Sequence, residues 1–121
     1  MKKVFCLLLM SFFFINCSSQ KEFNSITTSE LKVLLEQDYI QLLDVRTATE
    51  IEDGFIKTAK FADYFAEDFY TKASNQLDKE KTVYVYCRSG NRSSKSAKIL
   101  QDNGFKVVNV LGGYKQWEKE N

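Results

Sequence analysis

Apolar and polar positions alternate along this chain with two different periods. Val4 to Ile15 is an apolar run broken only by Ser11, and it gives way abruptly to the polar stretch Ser18 to Glu22. Lys21 to Ser25 reads as a tether. Leu31, Leu34 and Leu35 then recur at helical spacing behind Thr27-Thr28-Ser29-Glu30, which has the form of a capping box, so a first helix is predicted over Ser29 to Gln37. Tyr39 to Val45 is a buried strand by its apolar run and ends in Asp44-Val45-Arg46. Thr47 to Glu52 reads as a short helical turn, Asp53-Gly54 as a turn, and Thr58 to Ala62 as another short strand. Asp63 to Leu77 follows helical spacing, with Phe61, Phe65 and Phe69 expected as a core-facing stripe and Asp63, Glu67 and Asp68 as its solvated face. Asp78 to Lys81 is a charged turn. Thr82 to Tyr86 reads as the central strand, Ser94 to Asn103 as a helix capped by Asn103-Gly104, and Phe105 to Leu111 as the last buried strand. Gly112-Gly113 turns the chain into a terminal helix, Tyr114 to Asn121, carrying Trp117.

Strands thus alternate with helices, and most strands are apolar on both faces. That pattern predicts an α/β fold with a central, mostly parallel sheet of about four to five strands and helices on both faces. The strand ends at Asp44, Tyr86 and Leu111 would share one edge, where ligands of such sheets bind. That edge would gather Asp44, Arg46, Cys87, Arg88, Arg92 and Gly112-Gly113.

Composition changes the picture at the N-terminus. Two lysines in Met1 to Lys3 followed by the apolar run, too short to span a bilayer comfortably, have the form of a secretory signal. It ends at I-N-C-S-S-Q, where Cys17 resembles the lipid-attachment cysteine of bacterial lipoproteins, although Asn16 stands where a smaller residue is usual. The expected organisation is a signal peptide over residues 1–16 cleaved before Cys17, a tether over 17–25 and one domain over 26–121. The expected location is the cell envelope, with a lipid anchor in the outer membrane as the only contact with membrane. The chain of 121 residues carries 17 Lys and Arg against 16 Asp and Glu, and two lysines leave with the signal. Nothing there suggests nucleic acid as a partner.

Histidine is absent, which excludes a Cys–His dyad, a Ser-His-Asp triad and any histidine-bearing metal site. No metal-ligand spacing is seen and no cofactor is implied. Of three cysteines, Cys6 leaves with the signal and Cys17 would be lipidated, so Cys87 stands alone. Such a thiol is a small buried hydrophobe or a reactive group. Its setting, V-Y-V-Y-C-R-S-G-N-R-S over Val83 to Ser93, favours the second. A strand, a tight loop and a helix in that order aim backbone N–H groups and a helix N-terminus at the cysteine. Arg88 and Arg92 add two charges, so the thiol should ionise easily.

Three blocks now stand in one order: L-L-D-V-R-T-A-T-E-I-E-D-G-F-I (Leu42 to Ile56), C-R-S-G-N-R-S (Cys87 to Ser93) and L-G-G-Y-K-Q-W (Leu111 to Trp117). With them the chain from about Ile26 to Lys119 resembles a single-domain rhodanese. The resemblance implies a rhodanese-like fold and a sulfurtransferase. Cys87 would attack the outer sulfur of a donor such as thiosulfate, hold it as a persulfide, and pass it to cyanide or a biological thiol. The loop residues Arg88, Ser89, Gly90, Asn91, Arg92 and Ser93 would cradle the anion, with Arg88 facing the pocket and holding the donor's sulfonate. Arg92 is expected to brace the loop by pairing with Asp44 or Glu50, and Asp44, Arg46 and Glu50 to shape the site. For Arg46 and Arg92 a structural ion pair is at least as good a reading as substrate contact. A monomer is expected, with a small sulfur donor or a protein persulfide as partner.

The chain departs from the family where G-H-I is often found and Gly54-Phe55-Ile56 stands, and where Lys57 to Phe65 replaces a small, proline-containing stretch. Two other readings compete. A periplasmic sulfur carrier, thiol relay or binding module would use the same Cys87 without turnover. A cysteine phosphatase or arsenate reductase is disfavoured, because tyrosine phosphatases carry Cys-x5-Arg where Cys87 to Arg92 is Cys-x4-Arg, and no general-acid aspartate is evident.

Overall fold

Thr27 sets the start of the first helix, and the expected capping box is present: its side chain accepts from the Glu30 N–H at 3.1 Å while Glu30 Oε1 accepts from the Thr27 N–H at 2.9 Å. The computed structural model describes residues 23–121. The signal peptide of residues 1–16, Cys17 and the tether through residue 22 lie outside the described residues. In chain order the elements are β1 (Asn24–Ile26), α1 (Thr28–Gln37), β2 (Gln41–Asp44), α2 (Ala48–Glu52), β3 (Lys60–Phe61), α3 (Phe69–Ser74), β4 (Val83–Tyr86), α4 (Asn91–Asp102), β5 (Val107–Val110) and α5 (Gly113–Glu120).

The five strands form one parallel sheet in the order β1-β5-β4-β2-β3, with β4 in the middle. Alternate residues feed two apolar layers, which is why the strands read as almost unbroken apolar runs. Leu43, Val83, Val85 and Val107 pack with Phe69, Ala73, Ala97 and Leu100 of α3 and α4 on one face. Leu42, Tyr86 and Val110 pack with Leu31, Ile56, Tyr114 and Trp117 on the other, beneath α1 and α5. Register aligns Leu43 with Val85 and Asp44 with Tyr86, so β2 and β4 end level with each other. This is the expected α/β fold, with all five strands parallel.

Four expectations differ. Asn24 to Ser25 is not tether: with Ile26 it forms an edge strand along β5, and the Ile26 carbonyl accepts the Leu111 N–H at 2.8 Å. This strand satisfies backbone groups that β5 would otherwise leave bare. The helix expected over Asp63 to Leu77 is α3 alone. Residues 63–68 are tied down as turns: the Val45 carbonyl accepts the Tyr64 N–H at 3.1 Å, and Asp63 Oδ1 accepts the Phe65 N–H at 2.8 Å. The Phe61, Phe65 and Phe69 stripe is consequently not core. Only Phe69 is buried, whereas Phe61 is 39% and Phe65 67% exposed. Finally, α4 begins at Asn91, three residues before the expected Ser94, directly behind the cysteine loop.

Candidate active site

β4 delivers Tyr86 to the C-terminal edge of the sheet, and Cys87 follows it, 1% exposed. Gly90 then adopts a φ of +111° as the N-cap residue of α4. The left-handed turn bends the loop back over the sulfur, and the Gly90 N–H donates to Cys87 Sγ at 3.0 Å. Burial works against ionisation of the thiol. The Ser93 hydroxyl and the amides of Ser93, Gly90 and Ser89 outweigh it and lower the pKa. Ser93 is fully buried, and its Oγ has no partner of full hydrogen-bond geometry in this state. Ser89 and Asn91 are exposed, so they contribute backbone to the loop and leave their side chains in solvent.

The loop is clamped from behind. The Cys87 carbonyl accepts the Tyr114 N–H at 2.8 Å and the Arg88 carbonyl accepts the Lys115 N–H at 3.0 Å, so the first turn of α5 holds both peptide groups. Gly113 makes this approach possible. A Cβ there would lie 2.4 Å from the Cys87 carbonyl oxygen and 2.6 Å from that of Arg88.

Arg92 is bound bidentately by Glu50, with both Nη–Oε distances at 2.8 Å, and the Phe65 ring lies 5.5 Å from its guanidinium carbon. Of the two partners expected for Arg92, the structure selects Glu50. The same carboxylate closes a capping box at the start of α2, accepting from the Thr47 N–H and Oγ1–H at 3.0 Å each. The Arg92 contact, opposed by burial and aided by Thr47, lowers the Glu50 pKa from 4.5 to about 2. Arg92 is held in the charged form above all by its hydrogen bond to Glu50. Its charge therefore braces α4 against α2.

Asp44 pairs with Arg46. Asp44 Oδ2 accepts from Arg46 Nη2 at 2.7 Å, and Oδ1 accepts from the Arg46 N–H at 2.9 Å and from Nε at 3.0 Å. Arg46 Nη2 also donates to the Gly54 carbonyl at 2.8 Å, and the guanidinium lies against the rings of Tyr114 (4.3 Å) and Tyr86 (5.6 Å). Burial opposes its charge, but Asp44 more than offsets that, and the Arg46 pKa is raised. With both side chains at most 3% exposed, this pair ties β2 to the turn at Gly54. The Tyr86 hydroxyl accepts the Ile56 N–H at 3.0 Å, and burial together with Asp44 raises its pKa, so it stays a neutral phenol.

Arg88 is exposed and lines a cleft of about 140 Å³ with Arg46, Glu50, Asp53, Tyr114 and Glu118. The cleft flanks the cysteine loop; Cys87 itself does not line it. Phe55, 46% exposed, packs edge-on against Phe61 at 5.1 Å, so these residues of the departing segment form an aromatic pair at the surface.

Gly113 stands at the edge where the sequence placed it, whereas Thr47, Tyr86 and Tyr114 as supports of this site were missed. Thr47-Ala48-Thr49-Glu50 repeats the pattern read correctly at Thr27 to Glu30, so its signal was available. Tyr86 and Tyr114 carry no local signal, because their partners are distant in sequence.

A thiol under loop amides at the head of a helix, on the C-terminal edge of a five-stranded parallel sheet, defines an α/β domain whose loop favours ionisation of a single cysteine. The chain belongs to the rhodanese-like domain family, whose profile matches residues 27–120. It is 38% identical over 100 residues to the putative sulfurtransferase YtwF of Bacillus subtilis, covering 82% of this chain and 94% of that one. With the thiosulfate sulfurtransferase 18 of Arabidopsis thaliana it shares 34% identity over 109 residues, covering 80% and 79%. Among solved structures, a rhodanese-like domain protein from Staphylococcus aureus superposes with a TM-score of 0.71 at 40% identity, over 78% of this chain and 91% of that one. Family and relatives together support sulfur transfer as the general activity.

Proposed function

We propose that the chain is a sulfurtransferase that carries a sulfane sulfur as a persulfide on Cys87. The observation that carries this reading is the 3.0 Å contact between the Gly90 N–H and Cys87 Sγ at the head of α4. In the first half-reaction the Cys87 thiolate attacks the sulfane sulfur of thiosulfate. A new S–S bond forms, the old one breaks, and sulfite leaves with the electron pair. The persulfide anion lies under the loop amides, which aim donors at it as an oxyanion hole does at its oxygen. In the second half-reaction cyanide or a thiolate attacks the outer sulfur, and the Cys87 thiolate is returned as leaving group to the same amides. A depressed thiol pKa serves both halves, because it supplies the nucleophile first and the leaving group second. Arg92, committed to Glu50 on both nitrogens, is poorly placed to clamp a phosphoryl group, which weighs against a phosphatase.

The test is an intact mass of the purified protein after incubation with thiosulfate, beside a Cys87→Ser variant. A gain of one sulfur atom, lost on adding cyanide and absent from the variant, is the expected result. A persulfide that forms but turns over slowly with small acceptors would mark a carrier. No gain with thiosulfate or any persulfide donor would overturn the reading.

A further inference from the structure

The cleft beside the cysteine loop carries an unusual balance of charge. Of its six lining residues, Arg46 is neutralised by Asp44 and Glu50 by Arg92. That leaves Arg88 on one hand and Asp53 and Glu118 on the other, and none of these three takes part in an ion pair among the described residues. One free cation and two free anions therefore face a common space of about 140 Å³. This volume is well below that of pockets for drug-sized ligands. Its floor is rigid: Arg46 is buried and stacked on Tyr114, and Glu50 is fixed by two partners. Its position is tied to the chemistry. Arg88 directly follows Cys87, and Glu50 grips the loop through Arg92.

We propose that this cleft is the acceptor subsite, and that it takes a free amino-acid thiol with both its ammonium and its carboxylate ionised. The inference rests on the sulfurtransferase reading above. Asp53 and Glu118 would receive the α-ammonium and Arg88 the α-carboxylate, each by a charge-assisted contact. The side-chain thiol of such a molecule is one carbon removed from the carbon bearing both charges, and for transfer it must reach past Arg88 to the outer sulfur of a Cys87 persulfide, since Cys87 itself does not line the cleft. The acceptor thiolate attacks the outer sulfur of the Cys87 persulfide. The new S–S bond belongs to the acceptor, and the Cys87 thiolate leaves with the electron pair, so no oxidant or reductant is required. A peptide thiol such as glutathione, whose cysteine has both ends in amide bonds, lacks the two charges and exceeds the space.

The experiment loads the protein with thiosulfate, verifies the persulfide by intact mass, and measures second-order transfer to four acceptors at equal thiolate concentration. These are L-cysteine, N-acetyl-L-cysteine, L-cysteine methyl ester and glutathione. L-cysteine is expected to react roughly ten-fold faster than the N-acetyl compound and the methyl ester, which each lack one charge-assisted contact, and faster still than glutathione, which lacks both. The double substitution Asp53→Asn with Glu118→Gln is expected to erase the preference over the N-acetyl compound and leave that over the methyl ester. Arg88→Gln is expected to do the reverse. A residue acting only through the fold would move all acceptors together, and that outcome overturns the proposal. So does equal reactivity of L-cysteine and its N-acetyl derivative, or faster transfer to a reduced protein dithiol than to L-cysteine. Absence of any persulfide defeats the sulfurtransferase reading instead. The cleft is then probed by titrating L-serine, the thiol-free isostere, and no shift of the Arg88 side-chain NMR signal would end the cleft proposal as well.

Discussion

Gly113 carries no reactive group, yet replacing it should damage the site more than most changes to polar residues around it. In Gly113→Ala the new Cβ would meet the Cys87 carbonyl oxygen at 2.4 Å and the Arg88 carbonyl at 2.6 and 2.7 Å. These are backbone atoms and cannot swing aside. The first turn of α5 must therefore retreat, and the two hydrogen bonds from Tyr114 and Lys115 go with it, at about 0.5–1.5 kcal/mol each. Overpacking adds about 1–3 kcal/mol, and the left-handed backbone adds about 1–2 kcal/mol. Together these give an expected loss of about 3–8 kcal/mol, a large part of the roughly 5–15 kcal/mol typical of a domain. Gly104→Ala is the control. Its φ of +94° is farther from the left-handed minimum than the +57° of Gly113, but its Cβ would meet nothing nearer than Lys79 Nζ at 3.7 Å. Backbone conformation alone ranks Gly104 as the worse position; the clamp ranks Gly113 worse by about 2 kcal/mol or more. Urea unfolding of both variants decides between them, and iodoacetamide alkylation against pH reads the thiol. Equal losses of stability, or a Gly113→Ala protein whose thiol titrates as in wild type, would refute the reasoning.

Two further outcomes follow from the same geometry. Glu50→Gln keeps an acceptor for the Thr47 box but gives up the charge facing Arg92, and should cost about 1–2 kcal/mol at neutral pH, less than the full shift implies because the carboxylate is 24% exposed. A carboxylate lowered from 4.5 to about 2 stabilises the fold fully above 4.5 and loses that contribution as pH falls toward 2. Wild type and variant should therefore converge across that interval in urea titrations, and a constant gap would contradict the pairing. Ser93→Ala removes a hydroxyl that favours the thiolate, so the alkylation midpoint should move to higher pH. An unmoved midpoint would show that the loop amides hold the sulfur alone.

What could be read from the chain is what local chemistry encodes. The apolar runs at Tyr39 to Val45 and Thr82 to Tyr86 were long enough to identify strands buried on both faces, and Thr27 with Glu30 fixed a helix start. The cysteine loop was legible because strand, glycine and helix follow one another without a break. The Phe61, Phe65 and Phe69 spacing misled for a physical reason: a period of four places residues on one face only if the backbone between them is helical, and Asp63 folds that backbone into turns. β1, at three residues, is too short to show any period. The division of two arginines between two carboxylates was open in the sequence. It is decided by distance, since Asp44 and Arg46 lie two residues apart on one strand end while Glu50 faces Arg92 across 42 positions.

The edge strand also constrains when this domain becomes complete. β1 has one neighbour in the sheet, β5, and pairs Asn24 with Val108 and Ile26 with Val110. At the helix that follows, the Thr28 hydroxyl donates to Glu120 at 2.6 Å. The first residues of the domain to leave a ribosome thus wait for almost the last before their backbone has a strand to pair with. Closing so long a loop costs entropy before any contact repays it. Synthesis from the N-terminus can pair β2, β3 and β4 as they emerge, but the β1 edge of the sheet is completed only after its final strand has been made.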